Sequence, residues 1–399
     1  MKITVAGFGV GGLRNCLPAV TEAITQSDIV IGSLRLLKDA EVDASRAVIA
    51  VRAADIAETI AQSDAESAVV LMSGDSGFFS GTRSLLPYLE GHQVTVLPGI
   101  GSVSYFSAAI AIPWQQWHLC SAHGVSCNAA QQVSANRYTF FLTGGEKSAD
   151  ALCRDLENAG FGDLNAFVGC DLGYENEQIL RTTVTKAANM VFPPLSVLLI
   201  ENPKPYKGVR CGISDGDFTR GDIPMTKSEV RAVIISKLRL NRDSIMFDIG
   251  AGTGSVSCEA ALLMPEGKVY AIEREAEGVE LVTTNAAKMK VFNVECIAGE
   301  APEALEGLPP PDVAFIGGSG GRLHEICDEL IKLNPDVRIV IAAVSLETVA
   351  QASQLIELLF PETAETVMVQ VSRVKKVGSH SMLMGQNPVY IISGGGIGD

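Results

Sequence analysis

The residues most suited to chemistry form one run, Phe247-Asp248-Ile249-Gly250-Ala251-Gly252-Thr253-Gly254, which ends an apolar stretch and opens a helical pattern. Glycines at such a strand-to-helix turn let the backbone bend tightly and let a ligand come close to the main chain. Glu273 ends the next apolar stretch, in Val269-Tyr270-Ala271-Ile272-Glu273. A carboxylate about 20 residues beyond the glycines is placed to accept hydrogen bonds from ribose hydroxyls. Both features fall at the carboxyl ends of neighbouring strands, where open α/β sheets bind ligands. The G-x-G-x-G spacing lacks the later glycine of the dinucleotide fingerprint. A dinucleotide site, or a plain glycine turn beside a surface Glu, are the lesser alternatives.

A second set lies near the N-terminus. Gly7-Phe8-Gly9-Val10-Gly11-Gly12 fits G-x-G-x-x-G, a weak signal alone. Leu13–Leu17 and Pro18 delay the following helix, so its N-terminus is not set against a pyrophosphate. The second strand ends in Gly32-Ser33-Leu34-Arg35, with no acid for a ribose, although Arg35 could read a 2′-phosphate and keeps NADP open. Ser73-Gly74-Asp75-Ser76-Gly77-Phe78-Phe79 and Leu97-Pro98-Gly99-Ile100-Gly101-Ser102 follow two more strands. Each loop taken singly reads equally well as an ordinary turn.

Other chemistries find little support. The nine cysteines are scattered without C-x-x-C, and His92, His118, His123, His324 and His380 are dispersed. Neither a metal site nor a disulfide framework is expected, and a reducing, cytoplasmic setting is the simpler reading. No Ser/His/Asp set stands out, so no catalytic residue is assigned. No apolar run is long enough to span a bilayer and no signal peptide is evident, so no membrane partner is expected. A net charge of −15 argues against nucleic acid, which needs a basic face. A local basic pocket for an anionic small molecule remains compatible with it.

These loops need strands to carry them. At 399 residues the length favours two or three domains, and apolar runs alternate with helical patterns throughout. The expectation is α/β architecture with mainly parallel sheets. In the first half, two small lobes are expected, with strands near 2–7, 28–32, 47–51, 68–73 and 93–97, then near 117–121, 138–142, 165–169, 179–184 and 195–200. In the second half, strands and helices alternate from a helix near 226–239 to two β-rich segments, 364–374 and 388–394, read as a terminal β-hairpin. The stretch from 204 to 224 is rich in Gly, Pro and charge and reads as a linker. The expected division is 1–203, a linker at 204–224, and 225–399.

With these elements in place, the second half resembles the class I S-adenosylmethionine-dependent methyltransferases, a Rossmann-like fold closed by a terminal hairpin. Met225-Thr226-Lys227-Ser228-Glu229-Val230-Arg231, Gly299-Glu300-Ala301-Pro302, Asp312 through Gly321 and Asn387-Pro388-Val389 narrow the resemblance. Together they look like the decarboxylating methyltransferase domain of cobalamin biosynthesis, over roughly 220–395. The first half, about 1–200, resembles the two-lobed tetrapyrrole methylase family. It departs from that pattern at Val10 and Ser76, where Pro is usual, and at Gly101, where Ser is usual.

The resemblances imply bifunctional C-methylation of a precorrin at carbons 5 and 15, with decarboxylation of the ring C acetate. S-adenosyl-L-methionine would be the cofactor, a tetrapyrrole the substrate, and a homo-oligomer the usual assembly. Thr226, Gly250, Ala251, Gly252, Thr253, Gly254, Glu273, Gly299, Glu300 and Ala301 would line one cofactor site. Gly74, Asp75, Ser76, Gly77, Phe78, Pro98, Gly99, Ile100 and Ser102 would line the other. Gly317, Gly318, Ser319, Gly320 and Gly321 would border the tetrapyrrole, their unobstructed N–H groups suiting its carboxylates. Arg35 and Arg231 would serve those carboxylates too, although Arg231 reads equally as a helix-surface partner of Glu229. The alternatives are methylation of another small molecule or a protein residue, or a tetrapyrrole carrier that binds cofactor without turnover.

Overall fold

The computed structural model describes residues 1–123, 127–206 and 211–396, and divides into two compact units, Met1–Pro205 and Tyr206 onward. No helix among the described residues is long and apolar enough to cross a membrane.

The first unit begins with β1 (Lys2–Gly7), β2 (Ile29–Gly32), β3 (Ala47–Ile49), β4 (Ser67–Met72) and β5 (Gln93–Leu97). They form one sheet in the order β3-β2-β4-β1-β5, and every pairing is parallel. The central strands are rich in β-branched residues and buried on both faces, as parallel sheets require. Ile56 and Ile60 of one helix cover one side, and Val20 and Ile24 of another cover the other.

The second lobe holds β6 (Trp117–Ser121), β7 (Tyr138–Leu142), β8 (Asn165–Cys170), β9 (Gln178–Thr183) and β10 (Ser196–Glu201), in the order β6-β7-β10-β8-β9. This lobe is the mixed part of an otherwise mainly parallel architecture. Only β6–β7 is parallel, and β7–β10, β10–β8 and β8–β9 are antiparallel. The short link from β8 to β9 explains that pair, because a parallel crossover needs a dozen or more residues.

The second unit contains β11 (Ile245–Ile249), β12 (Lys268–Glu273), β13 (Val294–Ala298), β14 (Val313–Ile316), β15 (Arg338–Ala343), β16 (Glu365–Val369), β17 (Ser372–Val377), β18 (His380–Gly385) and β19 (Val389–Gly394). Its main sheet runs β13-β12-β11-β14-β15-β19-β16. The chain moves outward from β11 through β12 to β13, then returns to place β14 on the other side of β11. That reversal opens a crevice at the carboxyl ends of β11 and β14. The closing strands β16 and β19 pair antiparallel, but no simple turn joins them. Residues 372–385 form a separate exposed ribbon, β17–β18, so the expected segment 364–374 is divided between β16 and β17, and the stretch after it continues as strand.

The expected linker also differs from what is found. Ile213 and Phe218 are buried in the core of the second unit with Met225, Ile234 and Val256. Two apolar side chains five residues apart among glycines and charges carry no helical or strand period, so the pattern hid them.

Candidate active site

The turn after β11 is held by the backbone of its neighbour. Gly250 and Ala251 donate N–H bonds to Ile272 O at 3.0 and 3.1 Å. Gly250 lies at φ +71°, and a Cβ there would stand 2.7 Å from both the N and the O of Gly318. The loops after β11 and β14 therefore touch main chain to main chain, which only glycine permits. Gly317 and Gly318 donate to Ile249 O, at 2.9 and 3.2 Å. This corrects the picture of a wholly unobstructed glycine run. Among the described residues, only Ser319, Gly320 and Gly321 of that run keep N–H groups without a partner.

Glu273 is 7% exposed and sits at the foot of this crevice. Its Oε2 accepts Gly252 N–H at 2.7 Å and its Oε1 accepts Glu275 N–H at 2.9 Å. Each oxygen keeps a free lone pair. The cavity around it measures about 310 Å³. Gly250, Gly252, Glu273, Gly299, Glu300, Ala301 and Gly317 through Gly320 line it, with Ile249, Ile272 and Ile326 as apolar wall. Ile223, Pro224, Arg274 and Glu275 complete it, and none of these four was expected from the sequence. Pro224 lies two residues before Thr226 in the quoted motif, the nearest available signal.

Other expected residues lie outside the lining. Thr226, Ala251, Thr253, Gly254 and Gly321 flank the cavity without lining it. Gly254 is the cap of the following helix and packs on Val282, and Thr253 is buried with its Oγ1 unpartnered. Asp248 is wholly buried and accepts a short hydrogen bond from Ser257, while its Oδ1 has no partner. Burial pushes its carboxyl up to about 7, and Glu273 nearby adds to that, against the pull of Ser257.

Arg231 overturns both readings made of it. It is fully buried and pairs with neither solvent nor Glu229. Its Nε donates to Glu259 Oε1 at 2.7 Å, its Nη1 to Thr226 O at 2.6 Å, and its Nη2 to Ile213 O. Glu259 lies 28 residues further along the chain, and no local pattern connects it to Arg231. The cation lining the cavity is instead Arg274, which is exposed and paired with Glu300 at 3.1 Å and Glu275 at 3.2 Å.

In the first unit, three loops meet at the carboxyl ends of β1, β4 and β5. Gly9 and Gly74 exchange backbone hydrogen bonds at 3.0 and 3.3 Å. A Cβ on Gly99 would stand 2.3 Å from Gly74 O and 2.4 Å from Gly7 O. Asp75 clasps the loops, accepting Gly99 N–H at 3.0 Å and Gly77 N–H at 2.8 Å, and Ser76 Oγ donates to Leu97 O at 2.9 Å. Phe78 packs into the aromatic core with Phe140, and Ser102 starts a helix just after Pro98-Gly99-Ile100-Gly101. Pro18 starts the first helix only after a short 3-10 turn at Gly12–Asn15, so no helix N-terminus faces the first glycine loop. Arg35 donates to Tyr174 Oη at 2.7 Å, Ser73 Oγ at 3.1 Å and Asp39 Oδ2 at 3.3 Å. Its guanidinium joins the end of β4 to the 171–177 loop of the second lobe.

Known proteins match both units. A profile for the precorrin methyltransferase domain covers residues 217–394, and one for tetrapyrrole (corrin/porphyrin) methylases covers 2–188. The probable cobalt-precorrin-6B C(15)-methyltransferase (decarboxylating) of Pyrobaculum calidifontis is 40% identical over 185 residues, 46% of this chain and 94% of that protein. The chain belongs to the precorrin methyltransferase family. The cobalt-precorrin-6B C(15)-methyltransferase (decarboxylating) of Salmonella typhimurium is 37% identical over 183 residues, 45% of this chain and 94% of its own length. The crystal structure of a precorrin-6y C5,15-methyltransferase from Geobacter metallireducens is 41% identical, covers 47% of this chain and all of that one, and has a TM-score of 0.45. Membership makes the chain a methyltransferase that uses S-adenosyl-L-methionine as methyl donor.

The second unit's cavity fits such a donor. Its glycine turn lets the loops after β11 and β14 meet main chain to main chain along one wall, its buried carboxylate is held in place by two amides, and its walls are apolar on one side.

Proposed function

We propose that the chain methylates a precorrin at carbons 5 and 15 and removes carbon dioxide from the ring C acetate. The first unit carries the carbon-5 transfer, and the second carries the carbon-15 transfer with the decarboxylation. The observation that carries this reading is Glu273, buried at the switch point with both oxygens pinned by Gly252 and Glu275 and still able to accept.

S-adenosylmethionine supplies an electrophilic methyl group on sulfur. The protein's task is to hold donor and acceptor carbon in line and keep water away. Glu273 accepts the ribose hydroxyls. Gly250 and Gly252 admit the ligand to the main chain, and Ile249, Ile272 and Ile326 shield the reacting centre. Across the crevice, the free amides of Ser319, Gly320 and Gly321 meet substrate carboxylates. Arg274 offers a cation there by exchanging Glu300 for a substrate carboxylate. Loss of carbon dioxide leaves an electron pair, which the conjugated macrocycle takes up.

The test is product mass spectrometry with a precorrin substrate and labelled cofactor. The full chain should yield a doubly methylated, decarboxylated product. Glu273→Ala should abolish decarboxylation and one methylation. Retention of both by Glu273→Ala would overturn the assignment of the second unit.

A further inference from the structure

Residues 212–226 form a strap across the second unit, and four main-chain groups of it are tied to one buried ion pair. Glu259 Oε2 accepts Gly212 N–H at 3.0 Å and Oε1 accepts Ile213 N–H at 2.9 Å. Arg231 donates to Ile213 O and Thr226 O, and its guanidinium lies 4.8 Å from the Phe218 ring centroid. Asp215 extends the network by accepting Ser228 N–H at 2.9 Å and pairing with Arg231 at 3.4 Å. The far end of the strap is cavity wall. Ile223 and Pro224 line the cavity, and a Cβ on Gly252 would stand 3.2 Å from Pro224 O.

Burying two full charges is a poor route to stability, because an apolar pair of similar volume does as well or better. What an apolar pair cannot do is bind carbonyl and N–H groups in fixed directions. A planar guanidinium does so with several donors at once. The cost of burial here is matched by control over the strap.

We propose that Arg231 and Glu259 are positioning residues for the cofactor: they hold the 212–226 strap so that Ile223 and Pro224 close over Gly252. This rests on the reading that the second unit's cavity receives S-adenosylmethionine. It predicts that the pair sets cofactor affinity separately from stability.

The experiment titrates the full chain with S-adenosylhomocysteine by calorimetry, using Glu273→Ala to identify the second unit's site. The double variant Arg231→Met/Glu259→Gln removes both charges, and the single Gln oxygen can accept from only one of Gly212 and Ile213, so the ties to the strap are loosened. A melting temperature near wild type with affinity lowered about tenfold or more at that site supports the proposal. Wild-type affinity in the double variant, with the Glu273→Ala effect intact, overturns it alone. If Glu273→Ala changes nothing, the cavity reading falls and the proposal with it. Should the double variant not fold, Arg231→Lys decides the matter. Faster hydrogen exchange across 212–226 together with weaker binding supports the proposal, and faster exchange with unchanged binding overturns it.

Discussion

Arg231 Nε lies 2.7 Å from Glu259 Oε1, and neither side chain reaches solvent. Removing one member strands the other as a buried charge. Arg231→Met should therefore lower unfolding stability by about 3–5 kcal/mol. Arg231→Met/Glu259→Gln should recover much of it, since no uncompensated charge remains between them. Chemical denaturation of the full chain measures both.

Asp248 gives a pH signature. Its folded-state value near 7 stands above the ordinary 3.8, so between those values the folded protein holds a proton that the unfolded chain has lost. Its contribution to stability is therefore fully present below about 3.8 and falls as pH rises towards 7. Asp248→Asn should be more stable than wild type at pH 8 and show little difference at low pH. Melting temperatures of the two proteins across that range provide the check.

Two glycines separate the units. Gly99→Ala would drive a Cβ into Gly74 O and Gly7 O, and Gly250→Ala into Gly318, with no flexible side chain able to give way. Each variant should lose one of two S-adenosylhomocysteine sites in calorimetry. Gly250→Ala alone should abolish carbon dioxide release.

Arg274→Ala should raise KM for the precorrin several-fold with kcat less affected, and leave the melting temperature near wild type. Its partners Glu275 and Glu300 are solvent-exposed, and such pairs add little to stability. Steady-state kinetics at low salt would reveal the difference best, because screening weakens exposed charge interactions.

The strand-and-glycine skeleton was readable because β-branched runs ending in glycine leave a local signal. Gly250, Gly252 and Glu273 each lie within a short distance of a strand end, and all three line the cavity. Arg231 was misread because its partners arrive from Glu259, Asp215 and the carbonyls of Ile213 and Thr226, which no local period connects. Arg274 went unnoticed for the opposite reason: its neighbour Glu273 carried the motif. The β17–β18 ribbon was legible only to residue 374, because it is exposed on both faces and lacks alternation of apolar and polar residues.

β19 is the last strand among the described residues, yet it lies inside the sheet, between β15 and β16. During synthesis, β15 therefore presents an open apolar edge, with Ile339 and Ile341, until residues 389–394 leave the ribosome. By then every strand of Met1–Pro205 has already emerged. The nascent chain thus passes through a stage in which all the strands of Met1–Pro205 are available to pair while β15 still lacks its last neighbour.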